Sequence, residues 1–215
     1  VHLQHHYIAI EGNIGAGKST LSNMLSKDFS TKLILEEFED NSFLPKFYKD
    51  PLRYAFPLEM SFLSDRFNQL KELPPSMDLF NRFSISDYMF AKCLLFAKVN
   101  LNEDEFQLFQ RLFEIIQAQI IKPDLIVYLQ NPVEKLQWNI TNRGRSYEQK
   151  IPDEYLQKLH LSYMEYLQTQ STHIPVLMID CSQLDFVKNI DDYENLKAMI
   201  VKKYEVGMHT VKWLK

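Results

Sequence analysis

The apolar run Tyr7-Ile8-Ala9-Ile10 leads directly into Gly12-Asn13-Ile14-Gly15-Ala16-Gly17-Lys18-Ser19-Thr20. The pattern is a glycine, four residues, a glycine, a lysine and a hydroxyl residue, set between a strand and a helix. Each part has a mechanical duty. The glycines let backbone N–H groups turn inward and approach a chain of phosphates closely. Lys18 adds a point charge at the transferring end, and the Ser19 hydroxyl suits a hydrated Mg2+. A helix opening at Lys18 aims its positive dipole end at the same anions, and Leu21, Met24 and Leu25 continue with helical spacing. Residues Gly12 to Thr20 are therefore expected to cradle a nucleoside triphosphate.

Further apolar runs predict strands at Tyr7–Glu11, Leu33–Glu36, Leu79–Phe83, Leu125–Leu129 and Val176–Asp180. Helical patterns at Pro57–Leu70, Phe106–Ile121, Val133–Thr141 and Glu154–Gln168 lie between them. Such alternation implies an α/β fold with a parallel five-stranded sheet flanked by helices, and ligands beyond the strands' C-terminal ends. The 215 residues show no repeat and no linker, so one domain over 1–215 is expected. The net charge of −4 argues against a nucleic acid polymer as partner. No apolar run reaches the length of a membrane span. Cys93 and Cys181 stand apart, as buried thiols of a reducing compartment would, and the opening residues carry no charged-then-apolar leader. A cytoplasmic protein is expected. The apolar faces of Phe90, Cys93, Leu94 and Ala97, and of Phe106, Phe109, Leu112, Phe113 and Ile116, suggest a homodimer through the helices of 86–121.

A phosphate loop alone says nothing about the acceptor. The Asn-Lys-x-Asp base reader of guanine-nucleotide switches is absent. Glu36-Glu37, at the end of the second strand, could take a proton from an attacking hydroxyl, or could form a solvated acidic loop with Glu39 and Asp40. Arg143-Gly144-Arg145, following Val133–Thr141, could close as a lid over a phosphoryl group and exclude water, or could be surface charge at a helix end. Together with the phosphate loop, these features read as a small-molecule kinase.

The chain resembles the deoxynucleoside kinases of the group containing deoxycytidine, deoxyguanosine and bacterial deoxyadenosine kinases. The carriers are Gly12–Ser19, Glu36-Glu37-Phe38, Phe56-Pro57-Leu58-Glu59 through Arg66, Asn81-Arg82-Phe83-Ser84-Ile85-Ser86-Asp87, and Arg143-Gly144-Arg145 with Glu148 and Ile151-Pro152. The resemblance runs from about Tyr7 to about Ile200 and implies a P-loop kinase fold with an arginine-containing lid at about 142–151. It implies ATP-dependent phosphorylation of a deoxynucleoside 5′-hydroxyl, with Mg2+ as cofactor held at Ser19. By the same resemblance, Glu36 is the general base, Arg82 neutralises charge near the attacking hydroxyl, and Lys18 serves the transferring phosphate. Tyr48 and Glu148 would bind the sugar 3′-hydroxyl. Glu59, Arg66 and Asp87 would read the base, Arg143 and Arg145 would clasp the donor's phosphates, and Asp180–Phe186 would touch its adenine.

Three positions depart from the family's pattern. Asn81 stands where an acidic residue usually helps hold the hydrated metal, with Glu37 or Asp78 as possible substitutes. Asn139 replaces a common lid arginine, and Glu59 replaces a glutamine that makes paired contacts with the base. An ion pair between Arg66 and Asp87 would crowd a thymine methyl, so a purine deoxynucleoside is expected, deoxyadenosine before deoxyguanosine, with deoxycytidine still open. The alternatives are a phosphate-loop kinase for a nucleotide or other small acceptor, and a nucleotide-binding regulatory subunit with little turnover.

Overall fold

The computed structural model describes residues 3–38, 40–71 and 83–212. Within them, six strands form one sheet in the order β2-β3-β1-β4-β5-β6, with every neighbouring pair parallel. The strands are β1 (Tyr7–Gly12), β2 (Lys32–Ile34), β3 (Ser84–Ser86), β4 (Leu125–Gln130), β5 (Pro175–Asp180) and β6 (Gly207–Val211). The expected α/β architecture is present with one strand more than the sequence suggested. β6 escaped because it is an edge strand whose residues alternate between half-buried and exposed, which weakens the apolar signal.

The central strands β1, β4 and β5 are buried along almost their whole length, as a sheet covered on both faces requires. Their expected positions agree within one residue. β3 differs: the expected strand at Leu79–Phe83 falls largely outside the described residues, and the observed strand begins at Ser84. Ser84-Ile85-Ser86 reads as polar in sequence. Inside the sheet, however, the Ser86 hydroxyl donates to the Tyr88 carbonyl at 2.6 Å, so its burial costs little.

Helix α1 (Lys18–Phe29) starts on Gly17, whose φ of 90° a side chain would strain. Helix α3 runs Pro51–Leu70, six residues earlier than its expected start at Pro57. The Asp50 side chain caps it by accepting from the Arg53 N–H at 3.4 Å, and Pro51 suits a first turn. Pro57, the expected start, sits inside the helix.

After β3 come α4 (Lys92–Asn100) and α5 (Glu103–Gln117), the latter opened by a reciprocal capping box between Asn102 and Glu105. Phe109 and Phe113 of α5 are buried with Phe90, Cys93 and Ala97, and Phe106, Leu112 and Ile116 pack on the same cluster. The chain's own core therefore uses much of the apolar face that suggested a dimer. Helices α6 (Val133–Arg143), α7 (Asp153–Gln170) and α8 (Ile190–Ile200) and the short α2 (Leu44–Phe47) complete the layers. No helix among the described residues is long and apolar enough to cross a membrane.

Candidate active site

The site lies where β1, β2 and β3 end. Gly15 turns the phosphate loop with φ near +80°, and a Cβ there would stand 2.8 Å from the Leu136 carbonyl, so the loop lies directly on α6. Asn139 of α6 donates from Nδ2 to the Gly15 carbonyl at 2.7 Å and braces the loop. Asn13 anchors the other side by donating to the Leu156 carbonyl at 2.7 Å. Burial pulls the Lys18 ammonium down to about 8, with the Lys92 charge acting in the same direction. A triphosphate would reverse that shift.

Glu36 follows β2. Arg66, on α3, holds its Oε1, and Lys92, at the start of α4, donates to its Oε2 at 2.5 Å. Burial works to raise the Glu36 carboxyl, but the Lys92 and Arg66 charges overrule it and hold the group well below the usual carboxylate range. The carboxylate is ionised and can only accept.

Asp87, just past β3, links the site's parts. One carboxylate oxygen accepts from the Ser19 hydroxyl, and the other accepts from the Glu36 backbone N–H at 2.7 Å. The expected Arg66–Asp87 ion pair is not formed: Arg66 spends its guanidinium on Glu36 and on Cys93 Sγ, and Asp87 faces the phosphate loop. Asn81 and Arg82 lie outside the described residues. The next residue, Phe83, stacks on His6 at the strand-entry end of the sheet, opposite the phosphate loop.

Arg143 and Arg145 both pair with the buried Glu148, the second at 3.3 Å. Tyr48 stacks on Tyr147 at a ring separation of 5.9 Å, and burial together with the Glu148 charge raises its hydroxyl. Glu59 is buried on α3, with Oε1 accepting from Asn100 at 2.7 Å.

These side chains line a pocket that opens to solvent. It contains Glu36, Tyr48, Glu59, Arg66, Asp87 and Glu148, with the rings of Phe62, Phe96 and Tyr155 on its walls. A second cleft runs over Gly15–Thr20 to Ser182–Val187 and includes Trp138 and Asn131. Four residues border both spaces: Lys18, Ser19, Arg143 and Arg145. A phosphate chain lying in the cleft would thus present its end to the cavity that contains Glu36.

The model of the family described as deoxynucleoside kinase matches residues 8–204. The chain belongs to the deoxynucleoside kinase family. It is 35% identical over 197 residues to a deoxyguanosine kinase of Bacillus subtilis (strain 168), covering 90% of this chain and 95% of that protein. It is 37% identical over 205 residues to a deoxyadenosine kinase of Dictyostelium discoideum, covering 94% and 81% respectively. A solved structure of deoxyadenosine kinase from M. mycoides with bound dCTP superposes with a TM-score of 0.77 at 26% identity, covering 90% of this chain and 98% of that one. This deoxynucleoside kinase is accordingly an enzyme, a phosphotransferase with an alcohol group as acceptor.

Sequence reasoning missed four contributors to the site. Lys92 was hidden in a helix that reads as apolar. Glu11 is fully buried and accepts from the Met89 N–H at 2.7 Å and the Tyr163 hydroxyl at 2.8 Å, tying the phosphate loop's strand to the turn that carries Asp87. Asn100 was overlooked at the end of α4. Asn131, whose buried amide atoms have no hydrogen-bond partner among the described residues, borders the second cleft. An acid inside an apolar strand, as at Glu11, was the one signal that could have been followed.

Proposed function

We propose that this deoxynucleoside kinase transfers the γ-phosphate of ATP to the 5′-hydroxyl of a purine deoxynucleoside, deoxyadenosine before deoxyguanosine, in nucleotide salvage. The observation that carries the reading is the shared border of the two cavities at Lys18, Ser19, Arg143 and Arg145, with Glu36 on the acceptor side. The purine preference rests on the names of the two relatives, since Arg66 is engaged by Glu36 and not free to meet a base.

Glu36 accepts the proton of the attacking hydroxyl. Phosphoryl transfer through a loose transition state asks for little base strength, so a carboxylate kept ionised by two cations suits the step. Lys92 and Arg66 keep it ionised and fix its direction. Lys18, Arg143 and Arg145 gather the charge that spreads over the phosphoryl oxygens. When the arginines turn to the phosphates, they release Glu148, which with Tyr48 then binds the sugar 3′-hydroxyl. Asn131 meets the donor's base.

The Ser19 hydroxyl and the Asp87 carboxylate converge at the loop, and one or two oxygen ligands beside phosphates is the donor set that Mg2+ favours. Held by Ser19 and Asp87, Mg2+ would supply positive charge that offsets the charge of the phosphates. Asp87 thereby fills the metal-side place that the sequence resemblance gave to position 81.

Leu108 and Ile115 remain exposed on α5 and favour a homodimer through that helix. A single domain acting in the cytoplasm completes the reading. Purified protein with labelled ATP, Mg2+ and each of the four natural deoxynucleosides tests it. Labelled deoxyadenosine and deoxyguanosine monophosphates are expected and thymidine is expected to fail. Labelling of nucleoside monophosphates alone would overturn it.

A further inference from the structure

The wall of the acceptor cavity built by α3 and α4 holds a buried acid, Glu59. Glu59 is 1% exposed, and its Oε1 takes the Asn100 amide hydrogen at 2.7 Å. Its Oε2, sealed from solvent, has no hydrogen-bond partner among the described residues. An unpaired buried oxygen is costly, and a ligand that supplies the missing partner recovers that cost. What it can pair with depends on whether it carries a proton.

The titratable and charged groups facing Glu59 are Arg66 from its own helix, Glu36 from the segment after β2, Lys92 and Cys93 from the start of α4, and Tyr155 from α7. Burial pushes the Glu59 carboxyl up to about 7. The Asn100 hydrogen bond and the charges of Arg66 and Lys92 pull it down, while Glu36 pushes it up. Both protonation states are therefore accessible near neutrality.

The two states have different partners. A neutral acid offers one O–H donor beside an acceptor. It matches a heterocycle edge with a ring nitrogen next to an amine, as in adenine. A carboxylate offers two acceptors. It matches an edge with an N–H next to an amine, as in guanine. A mismatched pair sets lone pair against lone pair or hydrogen against hydrogen.

We propose that Glu59 selects the base of the acceptor nucleoside by its protonation state, binding an adenine-type edge as the neutral acid and a guanine-type edge as the carboxylate. This deepens the proposed function and rests on it. One protein could serve both purines, with the balance set by pH.

The test is competition between deoxyadenosine and deoxyguanosine from about pH 6 to about pH 8, a range that spans the Glu59 titration. The ratio of the two kcat/KM values cancels the steps they share, including donor binding and proton transfer to Glu36. In the unsubstituted enzyme, the deoxyadenosine-to-deoxyguanosine ratio is expected to fall about tenfold per pH unit. In Glu59→Gln, whose amide permanently mimics the neutral acid, the ratio is expected to be flat and to favour deoxyadenosine. A flat ratio in the unsubstituted enzyme, or an unchanged slope in Glu59→Gln, would overturn the proposal. Should Glu59→Gln fail to fold, Asn100→Ala serves. Loss of that donor moves the pH of equal use upward, and an unmoved crossing point overturns the idea. Turnover of both nucleosides with a flat ratio removes only the role of Glu59, whereas turnover of neither removes the kinase reading as well.

Discussion

Lys92 donates from its buried ammonium to Oε2 of Glu36 at 2.5 Å. With Arg66 on the other oxygen, the carboxylate is held from both sides and cannot rotate freely. The arrangement explains how an acid buried beside the phosphate loop stays ionised before substrate arrives. Lys92 is also the first residue of α4, so the helix and the Glu36 carboxylate are placed together.

Lys92→Met is expected to lower kcat by about a hundredfold while leaving the KM for ATP within a few-fold. Lys92→Arg should recover much of the loss, because a cation returns to Oε2 of Glu36. Steady-state kinetics of the two variants decide the matter: equal defects in both would mean that the lysine merely packs, and normal turnover in Lys92→Met would remove it from the site.

Asp87→Asn keeps the size of the side chain and one acceptor oxygen but removes the charge facing Ser19. The Mg2+ concentration for half-maximal activity should rise about tenfold or more. Excess Mg2+ should then restore part of the rate. A Mg2+ titration that superposes on that of the unsubstituted enzyme would return Asp87 to a purely structural place beneath Glu36.

Arg145→Ala should raise the KM for ATP and lower kcat by about a hundredfold, since the guanidinium proposed to meet the transferring phosphoryl group is lost. Its only ion pair among the described residues, with Glu148, is partly exposed, so stability should change by no more than about 1 kcal/mol. Thermal melting beside the kinetics separates the two effects; a large fall in melting temperature with intact kinetics would make Arg145 a structural residue.

Gly15→Ala tests the loop's packing on α6. Its φ of +80° and the 2.8 Å approach to the Leu136 carbonyl both resist a side chain. A destabilisation of about 1–3 kcal/mol and loss of ATP binding are expected. Denaturant unfolding and nucleotide titration measure the two; normal values for both would show the loop to be more yielding than its geometry implies.

The phosphate loop was legible in sequence because its requirements are local: Gly15 and Gly17 meet positive φ within a few residues of Lys18. Strands β1, β4 and β5 were legible because burial on both faces writes a continuous apolar run. The register of β3 was not. Ser84 and Ser86 conceal a strand whose polar groups are satisfied internally, and the shift moves attention from Asn81-Arg82 to Asp87. The partner of Arg66 was hidden for a different reason. Its bond to Glu36 spans thirty residues and depends on how α3 docks, which no local pattern encodes. Lys92, set among Phe90, Cys93 and Leu94, reads as one polar residue in an apolar face until Glu36 is placed against it.

The central claim is that Glu36 receives the proton of the nucleoside's 5′-hydroxyl as the phosphate leaves ATP. It is tested most directly by comparing Glu36→Gln with the unsubstituted enzyme in transfer of labelled phosphate from ATP to saturating deoxyadenosine, with nucleoside binding measured alongside. A fall in kcat of about a hundredfold or more with nucleoside affinity retained is predicted. Turnover in Glu36→Gln equal to that of the unsubstituted enzyme would contradict the account.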